Sequence, residues 1–310
     1  MMKTTQIGTS AFVGSQIALG IMRADSHPVS EIAKLLQFAV DRGINFFDNA
    51  DIYGGGKCEE IFGAALREAG IARDKVIVQT KVGIRNDEEN HRYDFSKAHL
   101  IAAVDASLKR LDMDYADIVL VHRPDPLMDA AEVGDAFNTL RAAGKVREFG
   151  VSNFNPLQVE LVQQAYGAPL VANQLQLGLM HTGMIDRGIH VNMTDPASVS
   201  HDGGIYEYSQ LHHMTIQAWS PYQAGFFEGV FLDNPKYPEV NAKLQEMADK
   251  YHTSKSAIAA AWILRLPVST QVIAGTMNQA HLQETIDGAD IDLAAQDWYD
   301  LYYSAGHDLP

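Results

Sequence analysis

The sequence predicts an α/β protein of the (β/α)8 TIM-barrel class, one domain over residues 1–310, with a long loop after the sixth strand. Three observations predict it. Eight short apolar runs recur roughly every 35 residues from one end of the chain to the other. Segments with apolar residues at helical spacing lie between most of them. No Pro/Gly/Ser-rich linker or break in composition divides the chain. Such alternation implies parallel strands joined by crossover helices. Eight units in about 250 to 300 residues fit a closed barrel better than an open sheet.

Residues 16–20 (QIALG) read as the first strand. Residues 32–40 (IAKLLQFAV) place apolar side chains at helical spacing, and Gly43 follows as a stop. Residues 44–47 read as strand and 59–68 as helix. Residues 76–80 (VIVQT) are strand-like, 100–111 helical and 116–121 (ADIVLV) strand again. A helix over 130–143 ends at Gly144, and 146–151 form the fifth strand. Asn155-Pro156 starts the next helix, a capping Asn before Pro at the first helical position, and this helix runs to about residue 165. Residues 171–175, 214–219 and 271–274 complete the strands, and a final helix begins near Asn278. The stretch 181–204, rich in Gly, His, Asp and Met, breaks the rhythm. A loop of that length is usually functional or mobile, and after the sixth strand it is expected on the catalytic face.

The composition excludes several classes. An apolar content of 46% rules out disorder, and 24 Gly and 11 Pro without a period rule out a collagen-like chain. Net charge is 24 − 39 = −15, with a pI near 5.1, which argues against a nucleic-acid partner. The single cysteine, Cys58, excludes an internal disulfide framework and fits a reducing compartment. Residues 1–10 are polar, with no apolar signal core, and the most apolar stretch, 257–264, falls well short of the roughly 20 residues a membrane span needs. These features predict a cytoplasmic protein without membrane or nucleic-acid partners, monomeric by default.

Barrel chemistry sits at the C-terminal ends of the strands. Asp48 follows the second strand with Tyr53 five residues on, Lys81 follows the third and His122 the fourth. An acid, a phenol, an amine and an imidazole therefore end three successive strands. A free phenol has a pKa near ~10, and a neighbouring ammonium favours its ionised form. Lys81 is expected to supply that charge and so lower the Tyr53 pKa. Asp48 would hold Lys81 and offset the burial of its charge. His122 would hydrogen-bond a substrate oxygen, leaving Tyr53 as general acid in reduction and general base in reverse.

Other motifs have plainer readings. Gly54–Gly56 follow Tyr53 as a turn, since no GxxxxGK[ST] pattern is present, and no GxGxxG follows the first strand. Histidines 181, 190, 201, 212 and 213, with Asp186, Asp195 and Asp202, show no recognisable ligand spacing, so no metal is expected. Cys58 reads as a passive helix residue.

With these residues in view, the chain resembles the aldo-keto reductases. The likeness is carried by residues 43–53 (GINFFDNADIY), 78–82 (VQTKV), 120–125 (LVHRPD), 150–154 (GVSNF), 173–176 (NQLQ) and 219–221 (WSP), in the family's order and approximate spacing. The resemblance implies a (β/α)8 barrel that reduces aldehyde or ketone carbonyls reversibly with NADPH and without metal. It implies that Asp48, Tyr53, Lys81 and His122 form the catalytic tetrad. It implies that Ser152, Asn153 and Gln174 hold the nicotinamide carboxamide and that Trp219 stacks on the ring. Gly20, Ile21, Met22 and Ser220 are expected on the same cofactor wall. The distantly similar β-subunits of potassium channels show that this fold also serves as a partner protein, so a nicotinamide-nucleotide-sensing regulatory protein with incidental turnover is the competing expectation. His122 favours the ordinary reductase.

One departure bears on the cofactor. Members specific for NADPH usually carry a Lys-Ser or similar pair after the eighth strand, and an Arg six residues past the Lys. Here residues 273–285 read IAGTMNQAHLQET. Gly275 stands at the Lys position, Thr276 at the Ser position and His281 at the Arg position, with Glu284 and Thr285 beyond. Backbone amides at the helix start near Asn278 could bind phosphate. Histidine offers a partial cation where arginine offers a permanent fork. NADP(H) is therefore expected with weakened selectivity and dual use of NAD(H).

Overall fold

The computed structural model describes residues 2–87, 90–225 and 228–310. Eight parallel strands close into a barrel: β1 (Ile17–Gly20), β2 (Phe46–Asp48), β3 (Ile77–Val82), β4 (Ala116–Val121), β5 (Val146–Ser152), β6 (Ala172–Gln176), β7 (Thr215–Trp219) and β8 (Thr270–Ala274). Each strand pairs in parallel with the next, and β8 pairs with β1 to close the cylinder. Strands buried on both faces need continuous apolar runs, which is the pattern that exposes them in the sequence.

The helices outside the barrel are α1 (Val29–Asp41), α2 (Lys57–Glu68), α3 (Lys97–Leu111), α4 (Ala130–Ala142), α5 (Pro156–Tyr166), α6 (Gly183–Ile189), α7 (Ile205–Leu211), α8 (Pro238–Tyr251), α9 (Lys255–Leu264), α10 (Gln279–Asp287) and α11 (Ala295–Ser304). Helix α1 buries Ile32, Leu35, Leu36 and Ala39 on one face. The predicted start of α5 is realised as a capping box, in which Asn155 and Gln158 bond each other's backbone amides and Pro156 occupies the first turn. The apolar stretch 257–264 belongs to α9, whose Trp262 ring stacks on Trp298 of α11 at 4.8 Å. No helix among the described residues is long and apolar enough to cross a membrane.

The bottom of the barrel is closed by an antiparallel hairpin, Thr4–Gln6 with Val13–Ser15. Its turn inserts Ile7 into an apolar plug with Phe46, Ile118, Leu120 and Ile273. Gly8 makes that entry possible: its φ is 57°, and a Cβ there would sit 2.4 Å from the Val171 carbonyl oxygen. Above the plug the interior turns polar. Gln174, Gln217 and Gln271 are register partners on β6, β7 and β8, so their side chains share one face, and Asp48 is the register partner of Gln79.

The stretch 181–204 departs from the expected loop. It contains α6 and a short turn of 3-10 helix at Pro196–Ser198. It packs against the C-terminal segment: Tyr302 Oη donates to Asp186 at 2.7 Å, and His190 Nε2 lies 3.3 Å from the Asp308 carbonyl. None of its residues lines the large cavity over the barrel mouth. The wall comes instead from the segment after β7, including Pro221, Tyr222, Gln223, Val230 and Leu232.

Candidate active site

Asp48 ends β2, and the chain then passes through a tight turn at Tyr53–Gly56. Gly54, Gly55 and Gly56 have φ of 56°, 63° and 94°, a left-handed run that carries the chain from Tyr53 into α2. Lys81 sits on β3 two residues beyond Gln79, so both point inward. Lys81 is fully buried, and its Nζ donates to Asp48 Oδ2 at 2.7 Å, the Asn49 carbonyl at 2.9 Å and Tyr53 Oη at 3.0 Å. All three ammonium protons are thus used, which a buried lysine requires.

The second oxygen of Asp48 accepts from Gln79 Nε2 at 2.6 Å and Gln174 Nε2 at 3.0 Å. Gln79 and Gln174 both also donate to Gln217, which donates in turn to Gln271. This glutamine network fixes the acid that fixes the lysine. Gln79, Gln217 and Gln271 do not stand out as site residues in the sequence; the available signal is a polar residue inside each of three otherwise apolar strands.

The protonation states follow from burial. Desolvation pushes the Tyr53 phenol above its ordinary value; the Lys81 ammonium pulls it down without overcoming this, and Asp48 adds to the rise. The sequence expectation of a lowered phenol is corrected on this point, because the cost of burying a phenolate exceeds the attraction of one ammonium already neutralised by Asp48. Burial also works against the Lys81 charge, yet Asp48 and Tyr53 together raise its pKa. His122 is held well below the usual histidine range by burial and then by the Lys81 and Arg123 charges, so its imidazole is neutral at pH 7. Its ring meets Tyr53 edge-on at 5.9 Å, and its Nδ1 has no hydrogen-bond partner among the described residues.

A cavity of about 1130 Å³ opens over these groups. Asp48, Tyr53 and His122 face it, while Lys81 lies beneath Tyr53 and does not. Gly20 and Met22 line it from the end of β1. Ile21 does not: it is fully buried in the core, and its backbone amide donates to the Asp48 carbonyl, which corrects its expected place on the cofactor wall. Ser152, Asn153 and Gln174 come together at the ends of β5 and β6. Ser152 Oγ donates to the Gln174 carbonyl, Asn153 Nδ2 donates to Ser152 Oγ, and Trp219 Nε1 donates to Asn153 Oδ1 at 3.2 Å. Asn153 and Ser220 both hold left-handed backbone, at φ 62° and 49°. Asparagine tolerates this readily, and serine adopts it at a cost.

Beyond β8, Gly275, Thr276, His281, Glu284 and Thr285 line the far end of the cavity. Arg23, also on the wall, donates to the Gly275 carbonyl, and a Cβ at 275 would lie 3.1 Å from its Nη1. The absence of a side chain at 275 therefore makes room for a cation from the end of the neighbouring strand, β1. Asn278 caps α10, and its side chain takes the amides of Ala280 and His281. Those two amides are engaged, which corrects the expectation that this helix start offers them to a phosphate. Glu284 accepts from Ser256, and Thr285 accepts from Tyr222. Cys58 is buried on α2, its thiol directed at the Met22 carbonyl.

The model of the Aldo/keto reductase family matches residues 16–302. A 6-dehydroglucose reductase of Agrobacterium fabrum is 34% identical over 299 residues, covering 93% of each chain. Oxidoreductase YdhF of Escherichia coli is 32% identical over 286 residues, covering 90% of this chain and 89% of its own. Among solved structures, a thermostable aldo-keto reductase crystallised with the inhibitor epalrestat superposes with a TM-score of 0.77 over 98% of this chain and 100% of its own, at 24% identity.

Proposed function

Because the chain belongs to the aldo/keto reductase family, we propose that it is an NAD(P)H-dependent oxidoreductase that reduces aldehyde or ketone carbonyls to alcohols, reversibly, with Tyr53 as proton donor. The observation that carries this reading is the buried Lys81 ammonium bonded at once to Asp48 and to Tyr53 Oη.

The lining fits a nicotinamide nucleotide. Ser152, Asn153 and Gln174 present hydroxyl and amide groups suited to a carboxamide, and Trp219 offers an aromatic face beside them. Gly20, Met22 and Ser220 would complete that wall, and Gly275, Thr276, His281, Glu284 and Thr285, with Arg23, would meet the adenosine end. The bound cofactor supplies the hydride, and the protein supplies the proton and the geometry. Tyr53 keeps its proton at neutral pH, as an acid must until negative charge appears on the substrate oxygen. As that charge develops, the proton leaves Oη and the Lys81 ammonium, 3.0 Å away, stabilises the phenolate. Asp48, held by Gln79 and Gln174, keeps Lys81 charged and in place. His122, neutral, offers a hydrogen bond that orients the carbonyl. We expect NADP(H) to be the preferred cofactor with NAD(H) also used, since neither Gly275 nor His281 supplies a permanent cation. The unpaired Cys58 suits a reducing cytoplasm, with the chain acting as a monomer on a small carbonyl or alcohol.

The test is NADPH oxidation with 4-nitrobenzaldehyde, with and without EDTA, and 6-dehydroglucose belongs among the substrates because a relative carries that name. EDTA-insensitive turnover is expected. Cofactor binding without turnover of either carbonyl overturns the reading, as does activity lost to EDTA.

A further inference from the structure

His122 and Arg123 are consecutive where the chain leaves β4, and a bend at Arg123 brings both side chains into the same cavity. Consecutive residues of a regular strand point to opposite faces. Their convergence depends on the strand ending at Val121. The Arg123 guanidinium carbon stands 5.5 Å from the centre of the Trp219 ring. Burial works against its charge, while the Tyr93 and Tyr53 phenols work for it. The same charge reaches His122, where it helps keep the imidazole neutral. Arg123 is therefore within electrostatic range of both groups that would hold a substrate oxygen.

We propose that Arg123 is a specificity-determining residue, and that it selects carbonyl substrates bearing a carboxylate a few bonds from the reacting carbon. This deepens the reductase reading and rests on it. Arg123 lines the same cavity as Tyr53 and His122, so an anionic substituent on a carbonyl held between those two meets its charge there. A guanidinium takes a carboxylate through two parallel hydrogen bonds, which a lysine cannot do. The Trp219 ring nearby favours a cation at this place, and partial exclusion of water strengthens the pairing. Beyond the neighbouring strands β2 and β3, Ile52 and Ile84 provide an apolar wall for the carbon chain between carbonyl and acid.

The experiment compares succinic semialdehyde with pentanal, a neutral aldehyde of similar length. For the wild-type chain kcat/KM should favour the acid. In Arg123→Met the acid-to-neutral ratio of kcat/KM should fall by roughly 10- to 100-fold, the range for a hydrogen bond to a charged group, mainly through KM. Arg123→Lys should fall between. A ratio that favours neither aldehyde in the wild type, or that Arg123→Met leaves unchanged, overturns the assignment. Turnover of 4-nitrobenzaldehyde in the same preparations shows whether the reductase reading stands. If no aldehyde is turned over, that reading fails, and quenching of tryptophan fluorescence by succinate reads the anion site alone. Quenching lost in Arg123→Met supports the site, and its absence from the wild type removes it.

Discussion

The Nζ of Lys81 lies 2.7 Å from Asp48 Oδ2 and 3.0 Å from Tyr53 Oη, sealed from solvent. One ammonium thus ties the acid at the end of β2 to the phenol of the next turn. A charge this deep is tolerated only while its partner remains. Replacing Lys81 with Met should leave the buried Asp48 carboxyl without its cation, at a cost of about 3 to 5 kcal/mol in stability. The double variant with Asp48→Asn should recover much of that loss in urea unfolding while remaining inactive. Additive losses in the double variant would mean that the two charges act independently.

Tyr53→Phe removes the transferable proton and little else. Cofactor affinity, read by fluorescence titration, should stay within a few-fold. Turnover should fall by about a hundredfold or more, the scale of general acid catalysis. Near-normal turnover would assign the proton to another group.

Gln79 is the shared donor to Asp48 and Gln217. Gln79→Leu should cost roughly 1 to 3 kcal/mol, because Asp48 Oδ1 and Gln217 Oε1 each lose a buried hydrogen bond and keep only the one from Gln174. It should also lower kcat more than it raises KM, since Asp48 loses the contact that aims it at Lys81. An unchanged kcat would confine Gln79 to packing.

Behind the tetrad, burial reinforced by the Glu59 carboxylate pushes Asp51 up to about 7. The folded chain therefore holds a proton there that the unfolded chain releases near pH 4. For a carboxyl raised in this way, stability falls as pH climbs from about 4 to about 7, by at most about 4 kcal/mol. Asp51→Asn should flatten that part of the profile and raise Tm at pH 8. Parallel profiles for the two chains across this range would exclude the assignment.

At the far end of the cavity, His281→Arg should tighten NADPH about tenfold, the worth of a permanent fork on a phosphate, and leave NADH nearly unchanged. Equal tightening of both nucleotides would move residue 281 away from the 2′-phosphate.

Local pattern exposes much of this molecule. Strands covered on both faces are largely apolar, so eight runs mark the eight barrel strands. Tyr53, Lys81 and His122 are visible because each follows such a run or its turn. The glutamine layer is not visible, because whether Gln79, Gln217 and Gln271 face the barrel interior depends on register and closure. The segment 181–204 reads as an open loop because its own composition is polar; the partners that order it, Tyr302 and Asp308, lie more than a hundred residues away.

By itself the sequence determined the number of barrel strands, their order and the chemical set at their ends, since these depend on residue type and spacing along the chain. The tertiary structure alone decided which of those groups meet, and that Tyr53 retains its proton against the pull of Lys81. That balance depends on how completely water is excluded from the barrel mouth, a quantity that exists only once distant strands have closed around it.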